Sequence, residues 1–157
     1  MRNKKVFSCR SPAKTRELGL AIGRAAKPGL LIALTGPLGS GKTTLIRAIA
    51  EGMEVEDTGK VASPTFVIVR EYHAPLTLYH VDAYRLHSWE DAQSAGLEDL
   101  VNTEDVIAVE WADHIEEMLP PDRLEIGCEH LSPRARRFTV TATGPISSEC
   151  LEDLSLA

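Results

Sequence analysis

Eight consecutive residues carry the densest chemical signal in the chain: Gly36-Pro37-Leu38-Gly39-Ser40-Gly41-Lys42-Thr43. They match G-x-x-x-x-G-K-[ST] at every fixed position, a pattern that cradles the phosphates of a nucleoside triphosphate when it joins a strand to a helix. The expected cradle runs from Gly36 through Leu38, Gly39, Ser40, Gly41 and Lys42 to Thr43 and Thr44. Its glycines let the backbone turn so that successive N–H groups face one phosphate, and a helix N-terminus adds the equivalent of roughly half a positive charge. Lys42 supplies a full charge near the β and γ phosphates, and the Thr43 hydroxyl is placed to ligate Mg²⁺. The same loop serves adenine and guanine nucleotides. No N-K-x-D element for reading guanine is present, since Asn102-Thr103-Glu104-Asp105 lacks the lysine and Asn3-Lys4 stands too early. ATP is therefore the expected nucleotide, with Mg²⁺.

A triphosphate site also needs an acid for the metal and a group to orient the attacking water. Asp82 closes Leu78-Tyr79-His80-Val81-Asp82, and Glu110 closes Val106-Ile107-Ala108-Val109-Glu110. The second run is the more hydrophobic and better fits a buried central strand. Either acid could instead be a solvated charge where a strand leaves the sheet. Ser63-Pro64-Thr65 fits a switch whose Thr65 hydroxyl senses the γ-phosphate, and equally a plain turn. Trp111 follows Glu110 and is expected on the opposite face, in the core or against a partner. His80 reads as solvent-facing, and His114, four residues after Glu110, makes no convincing ligand pair. Arg134, Arg136 and Arg137 form a dense cationic cluster late in the chain. A solvated turn is the plain reading of it, and one arginine reaching the nucleotide is the alternative.

The elements that must position these groups follow from pattern. Leu30 to Leu34 is a continuous apolar run, as a strand covered on both faces requires, and a helix beginning at Lys42 carries Leu45, Ile46 and Ile49 on one side. Val6-Phe7 suggests a short strand before a helix capped by Ser11 with Pro12 at its first position. Phe66 to Tyr72 and Leu76 to Val81, separated by His73-Ala74-Pro75, form a hairpin-like pair. Ser88 and Asp91 suggest a capping box for a helix ending at Gly96, with a shorter helix over Leu97 to Leu100. Further strands are expected over Leu124 to Cys128 and Phe138 to Thr143. Residues 144–157 read as a loosely attached tail or a short helix near Leu151 to Leu156. The fold class is α/β: a P-loop nucleotide-binding domain spanning residues 1–157, with a mixed β-sheet flanked by helices.

Composition narrows the class. A chain of 157 residues is the size of one domain, and its 17 Lys and Arg against 23 Asp and Glu give a net charge of -6. Such a field repels phosphate backbones, so any engagement of tRNA is expected to be indirect. No apolar stretch approaches the ~20 residues a membrane span needs, and the basic opening lacks the apolar run of a signal peptide. The expected location is the cytoplasm, with Cys9, Cys128 and Cys150 as reduced thiols.

The segments GPLGSGKTT, Ser63-Pro64-Thr65-Phe66, His80-Val81-Asp82-Ala83-Tyr84-Arg85-Leu86 and Val109-Glu110-Trp111-Ala112, in this order and spacing, resemble the TsaE family (formerly YjeE) across nearly the whole chain. The resemblance implies a slow ATPase that assists threonylcarbamoyladenosine modification of tRNA beside the anticodon, together with the TsaB and TsaD proteins. It also implies Thr43 and Glu110 as the Mg²⁺ pair, Asp82 as a further essential acid at the metal, and a switch role for Thr65. Ser11 and Arg134 are similar to positions that contact nucleotide in the family. Pro133 replaces the glycine many members have before that arginine, and Pro37 replaces a frequent acid. The rival readings are a stand-alone small-molecule P-loop kinase and a non-hydrolysing nucleotide sensor.

Overall fold

The computed structural model describes residues 3–56, 69–101 and 103–154. A seven-stranded sheet forms the centre, built from β1 (Asn3–Cys9), β2 (Leu31–Thr35), β3 (Val69–Tyr72), β4 (Leu78–Asp82), β5 (Val106–Glu110), β6 (Leu124–His130) and β7 (Arg136–Ala142). Their order across the sheet is β1-β7-β6-β2-β5-β4-β3. The four middle strands, β6, β2, β5 and β4, are mutually parallel, whereas β7, β1 and β3 join antiparallel at the two edges. The apolar runs of β2 and β5 follow from this placement, because a central parallel strand is buried on both faces.

Helices α1 (Pro12–Arg24) and α2 (Lys42–Gly52) cover one face. Ser11 caps α1, its hydroxyl accepting the Lys14 amide at 3.3 Å, and Pro12 occupies the first turn where its missing N–H costs nothing. The two helices approach so closely that a Cβ on Gly23 would lie 2.1 Å from the Ile49 carbonyl oxygen. Leu18, Ile22, Leu45, Ile46 and Ile49 then seal against Ile32, Leu34, Val106 and Ala108. This packing fixes α2, and hence the glycine loop at its head, against the sheet. On the other face, α3 (Trp89–Ser94), α4 (Leu97–Leu100) and the 3₁₀ segment Ala112–Met118 bury Leu31, Ala33, Val81, Ile107 and Val109.

The edges differ from expectation. β1 is seven residues rather than two, mostly exposed, and held by its full-length pairing with β7. β7 begins at Arg136, two residues before the apolar run that signals it. The hairpin of β3 and β4 is antiparallel as expected, while Phe66 to Ile68 lie outside the described residues. Of the two readings for the segment after Gly144, its described residues take the helical one, earlier than expected: Pro145–Glu152 forms α5, with Cys150 and Leu151 buried in the core. Ser88 caps α3 through the Asp91 amide, but the Asp91 carboxylate accepts from His87 N–H, so the reciprocal half of the expected box is displaced by one residue. Among the described residues no helix is long and apolar enough to cross a membrane.

Candidate active site

Because β2, β4 and β5 run parallel, their carboxyl ends share one edge of the sheet, where open α/β folds bind ligands. The glycine loop leaves β2 there, and the terminal acids of β4 and β5 arrive beside it. Asp82 and Glu110 are direct register partners, on the face that carries α2.

The loop is held open by three glycines in left-handed conformations, with φ of 137° at Gly36, 79° at Gly39 and 100° at Gly41. A Cβ on Gly36 would stand 2.4 Å from the Cys128 carbonyl oxygen, so the loop entry tolerates no side chain. Gly41 is the N-cap of α2, and no side chain caps that helix. Its first amides are thus left for an outside acceptor. The Ser40 hydroxyl is buried with no partner among the described residues, Leu38 is 89% exposed at the loop tip, and Thr44 is exposed one residue beyond Thr43.

Lys42 is only 5% exposed. Its amine donates to the Gly36 carbonyl and, at 3.0 Å, to the Pro37 carbonyl, and sits 4.1 Å from the centre of the Trp111 ring. Burial holds its pKa below the ordinary lysine value, outweighing the opposite pull of nearby groups including Glu110, Asp113 and Asp82. Trp111 packs against the apolar cluster on the face away from α2, as expected, and its ring also meets the Lys42 amine. It takes φ 58°, which few bulky residues adopt, just past the end of β5. Tyr84 packs 5.0 Å from Trp111, and His114 lies 5.6 Å from it, its Nδ1 facing the carbonyl oxygens of Ala83 and Tyr84 at 3.1 and 3.0 Å. With carbonyls as partners, that nitrogen must carry the proton.

Glu110 is 3% exposed. Its Oε1 accepts the Thr43 hydroxyl at 3.0 Å, and its Oε2 lies 2.6 Å from His80 Nε2. His80 is fully buried, contrary to the solvent-facing position expected of it, because β4 has a neighbour on each side and its face is covered. Asp82 is half-buried and turns one oxygen onto the Tyr84 amide at 3.0 Å. The structure thus brings Thr43, Glu110 and Asp82 to the head of the loop.

The more distant residues divide. Ser11 lies two residues past Cys9, which pairs with Arg136, so α1 starts at this same end of the sheet. Arg134 is exposed in the turn between β6 and β7. The arginine that lies over the loop is Arg136, whose Cγ and Nε would be 3.5 and 3.6 Å from a Cβ on Gly41. Thr65 and its Ser-Pro neighbours lie outside the described residues.

Among the described residues no cluster of three or more His, Cys, Asp or Glu could hold a metal. Mg²⁺ nevertheless suits this donor set, since it is a hard cation that takes a few protein oxygens and completes its shell with phosphate and water. Cys9, Cys128 and Cys150 are buried free thiols, and burial pushes Cys128 and Cys150 up to about 12.

Comparisons with known proteins converge. The family model described as "Threonylcarbamoyl adenosine biosynthesis protein TsaE" matches residues 9–138. The chain is 38% identical over 146 residues to the tRNA threonylcarbamoyladenosine biosynthesis protein TsaE of Bacillus subtilis, covering 92% of this chain and 90% of that one. It is 40% identical over 137 residues to the protein of that name from Streptomyces coelicolor, covering 82% and 90%. The crystal structure of Bacillus subtilis YdiB superposes with a TM-score of 0.81 at 33% identity, covering 98% of this chain and 95% of that one. The glycine loop, both acids and Trp111 all fall inside the matched span, and the chain belongs to the TsaE family of threonylcarbamoyl adenosine biosynthesis proteins.

Proposed function

We propose that this chain binds ATP with Mg²⁺ at the glycine loop and hydrolyses it to ADP and phosphate in support of threonylcarbamoyladenosine modification of tRNA. The observation that carries the reading is the bond from Thr43 to Glu110 at the head of an uncapped, glycine-opened helix. By donating its proton to Glu110, the Thr43 hydroxyl keeps its lone pairs for a cation. Glu110 and Asp82, both acceptors when ionised, complete an oxygen set of the hard type Mg²⁺ prefers. When bound, that ion would offset charge on the phosphoryl oxygens.

The α2 amides and Lys42 act on the phosphates. Lys42 now spends its protons on two loop carbonyls, and a phosphate is a stronger acceptor than either. Asp82, beside Glu110, is the group placed to accept a hydrogen bond from an attacking water. As that water's oxygen bonds to the terminal phosphorus, the bond to the leaving ADP oxygen breaks. The net charge of -6 favours tRNA being reached through partners, and TsaB and TsaD are those the family assignment suggests.

Phosphate release measured with the protein alone, with TsaB, with TsaD and with both tests the whole reading. Slow turnover alone and faster turnover with both partners is expected. Equal turnover in all four mixtures removes partner activation and returns the stand-alone kinase to contention. Glu110→Ala should still bind ATP while losing on the order of 100-fold in hydrolysis, because the acid acts on metal and water rather than on the base. Hydrolysis at the wild-type rate would make Glu110 structural.

A further inference from the structure

His80 stands out among buried groups that the proposed chemistry does not use. It is fully buried, and Nδ1 has no partner among the described residues. Keeping an imidazole in the core with one nitrogen unpaired is unfavourable, and an apolar side chain would avoid the penalty. Its single polar contact there is the 2.6 Å approach of Nε2 to Glu110 Oε2.

The placement follows from two short patterns on neighbouring strands. His80 and Asp82 lie on one face of β4, and Ala108 and Glu110 on the same face of β5. Parallel register sets Asp82 opposite Glu110 and His80 opposite Ala108. The Ala108 methyl leaves the space through which the imidazole reaches diagonally to the acid. Glu110 is a side chain with three torsions at a strand end. With α2 holding Oε1 and β4 holding Oε2, both carboxylate oxygens are fixed from separate elements.

We infer that His80 is a positioning residue: it orients Glu110 for the cation bound with the nucleotide, and so sets Mg²⁺ affinity without touching nucleotide itself. This rests on the reading of the loop as an Mg²⁺–ATP site. Groups hydrogen-bonded to a metal-ligating carboxylate commonly change metal affinity or activity by about 10- to 100-fold when removed.

The test compares His80→Gln, whose amide nitrogen falls near the position of Nε2, with His80→Asn, whose amide falls near Nδ1 and cannot reach Glu110. A non-hydrolysable ATP analogue is titrated by calorimetry over a range of Mg²⁺ concentrations and in EDTA, with thermal midpoints recorded. In His80→Asn the half-saturating Mg²⁺ concentration should rise by about tenfold or more, while analogue affinity in EDTA stays within about twofold of wild type. His80→Gln should recover most of the loss. In a Glu110→Gln background His80→Asn should add no further change, since the residue acts through that acid. Unchanged Mg²⁺ dependence in His80→Asn, or the same loss in the Glu110→Gln background, overturns the inference and leaves the loop assignment standing. A wild-type protein that binds the analogue neither with nor without Mg²⁺ overturns both.

Discussion

Helices α2 and α5 both begin at glycines that carry no side-chain cap, Gly41 and Gly144, and the protein treats the two ends in opposite ways. At α5 an acid from elsewhere in the chain fills the vacancy. Asp122, in the turn before β6, accepts the Ile146 amide at 2.8 Å, the Ser147 amide at 3.1 Å and the Ser147 hydroxyl at 2.7 Å. A Cβ on Gly144 would stand 2.4 Å from the Asp122 side chain, so only glycine allows the approach. At α2 the sign is reversed. The nearby acid, Glu110, bonds the Thr43 hydroxyl rather than the helix amides, and a lysine sits in the first turn. A cation beside the positive end of a helix dipole opposes folding locally and favours an incoming anion. One helix end is completed from within the chain and the other carries no side-chain cap, as the proposed nucleotide site requires.

The largest expected effect comes from removing the misplaced cation. Lys42→Ala should lower ATP affinity on the order of 100-fold in calorimetry, because the amides alone leave the terminal phosphates poorly neutralised. Its unfolding midpoint without nucleotide should not fall in proportion, since burial already disfavours the charged amine. Unchanged affinity would end the contrast between the two helices.

Asp122→Ala tests the other end. Two amides and a hydroxyl lose their acceptor, and a stability loss of about 2 kcal/mol is expected in urea unfolding. ATP affinity should be unaltered, and a parallel loss of affinity would mean the two ends are not independent.

A smaller effect sharpens the electrostatic side of the comparison. Burial alone would raise the Asp122 carboxyl, but the Ser147 hydroxyl and the Ile146 and Ser147 amides together hold it below its ordinary value. A group depressed in the folded state stabilises fully above its unfolded pKa and loses that contribution as pH falls through its folded pKa. The Asp122 share of stability should therefore fade below about pH 4. Urea midpoints followed from neutral pH into that range should fall less steeply in Asp122→Asn than in the wild type.

Much of this arrangement is legible locally. The glycine pattern places the loop, Ser11 and Ser88 mark the helix starts where their hydroxyls accept amides, and acids ending apolar runs mark the strand ends at Asp82 and Glu110. Each depends on residues within a few positions of one another, so spacing alone carries the information. His80 escapes such reading because alternation reveals a solvent face only when a strand has one, and β4 is covered where His80 points. The approach of Lys42 to the Trp111 ring escapes because it joins residues from separate elements.

The sequence by itself determined the elements, the phosphate-binding loop and the two acids, because hydrophobic period, turn residues and caps are short-range properties of the chain. Tertiary structure alone decided which groups meet: Thr43 with Glu110 across 67 positions, His80 with Glu110 across 30, Arg136 rather than Arg134 over Gly41, and Asp122 at the head of α5. Those meetings depend on strand order and register, which are set by burying two faces of one sheet at once. No local window of residues contains that constraint.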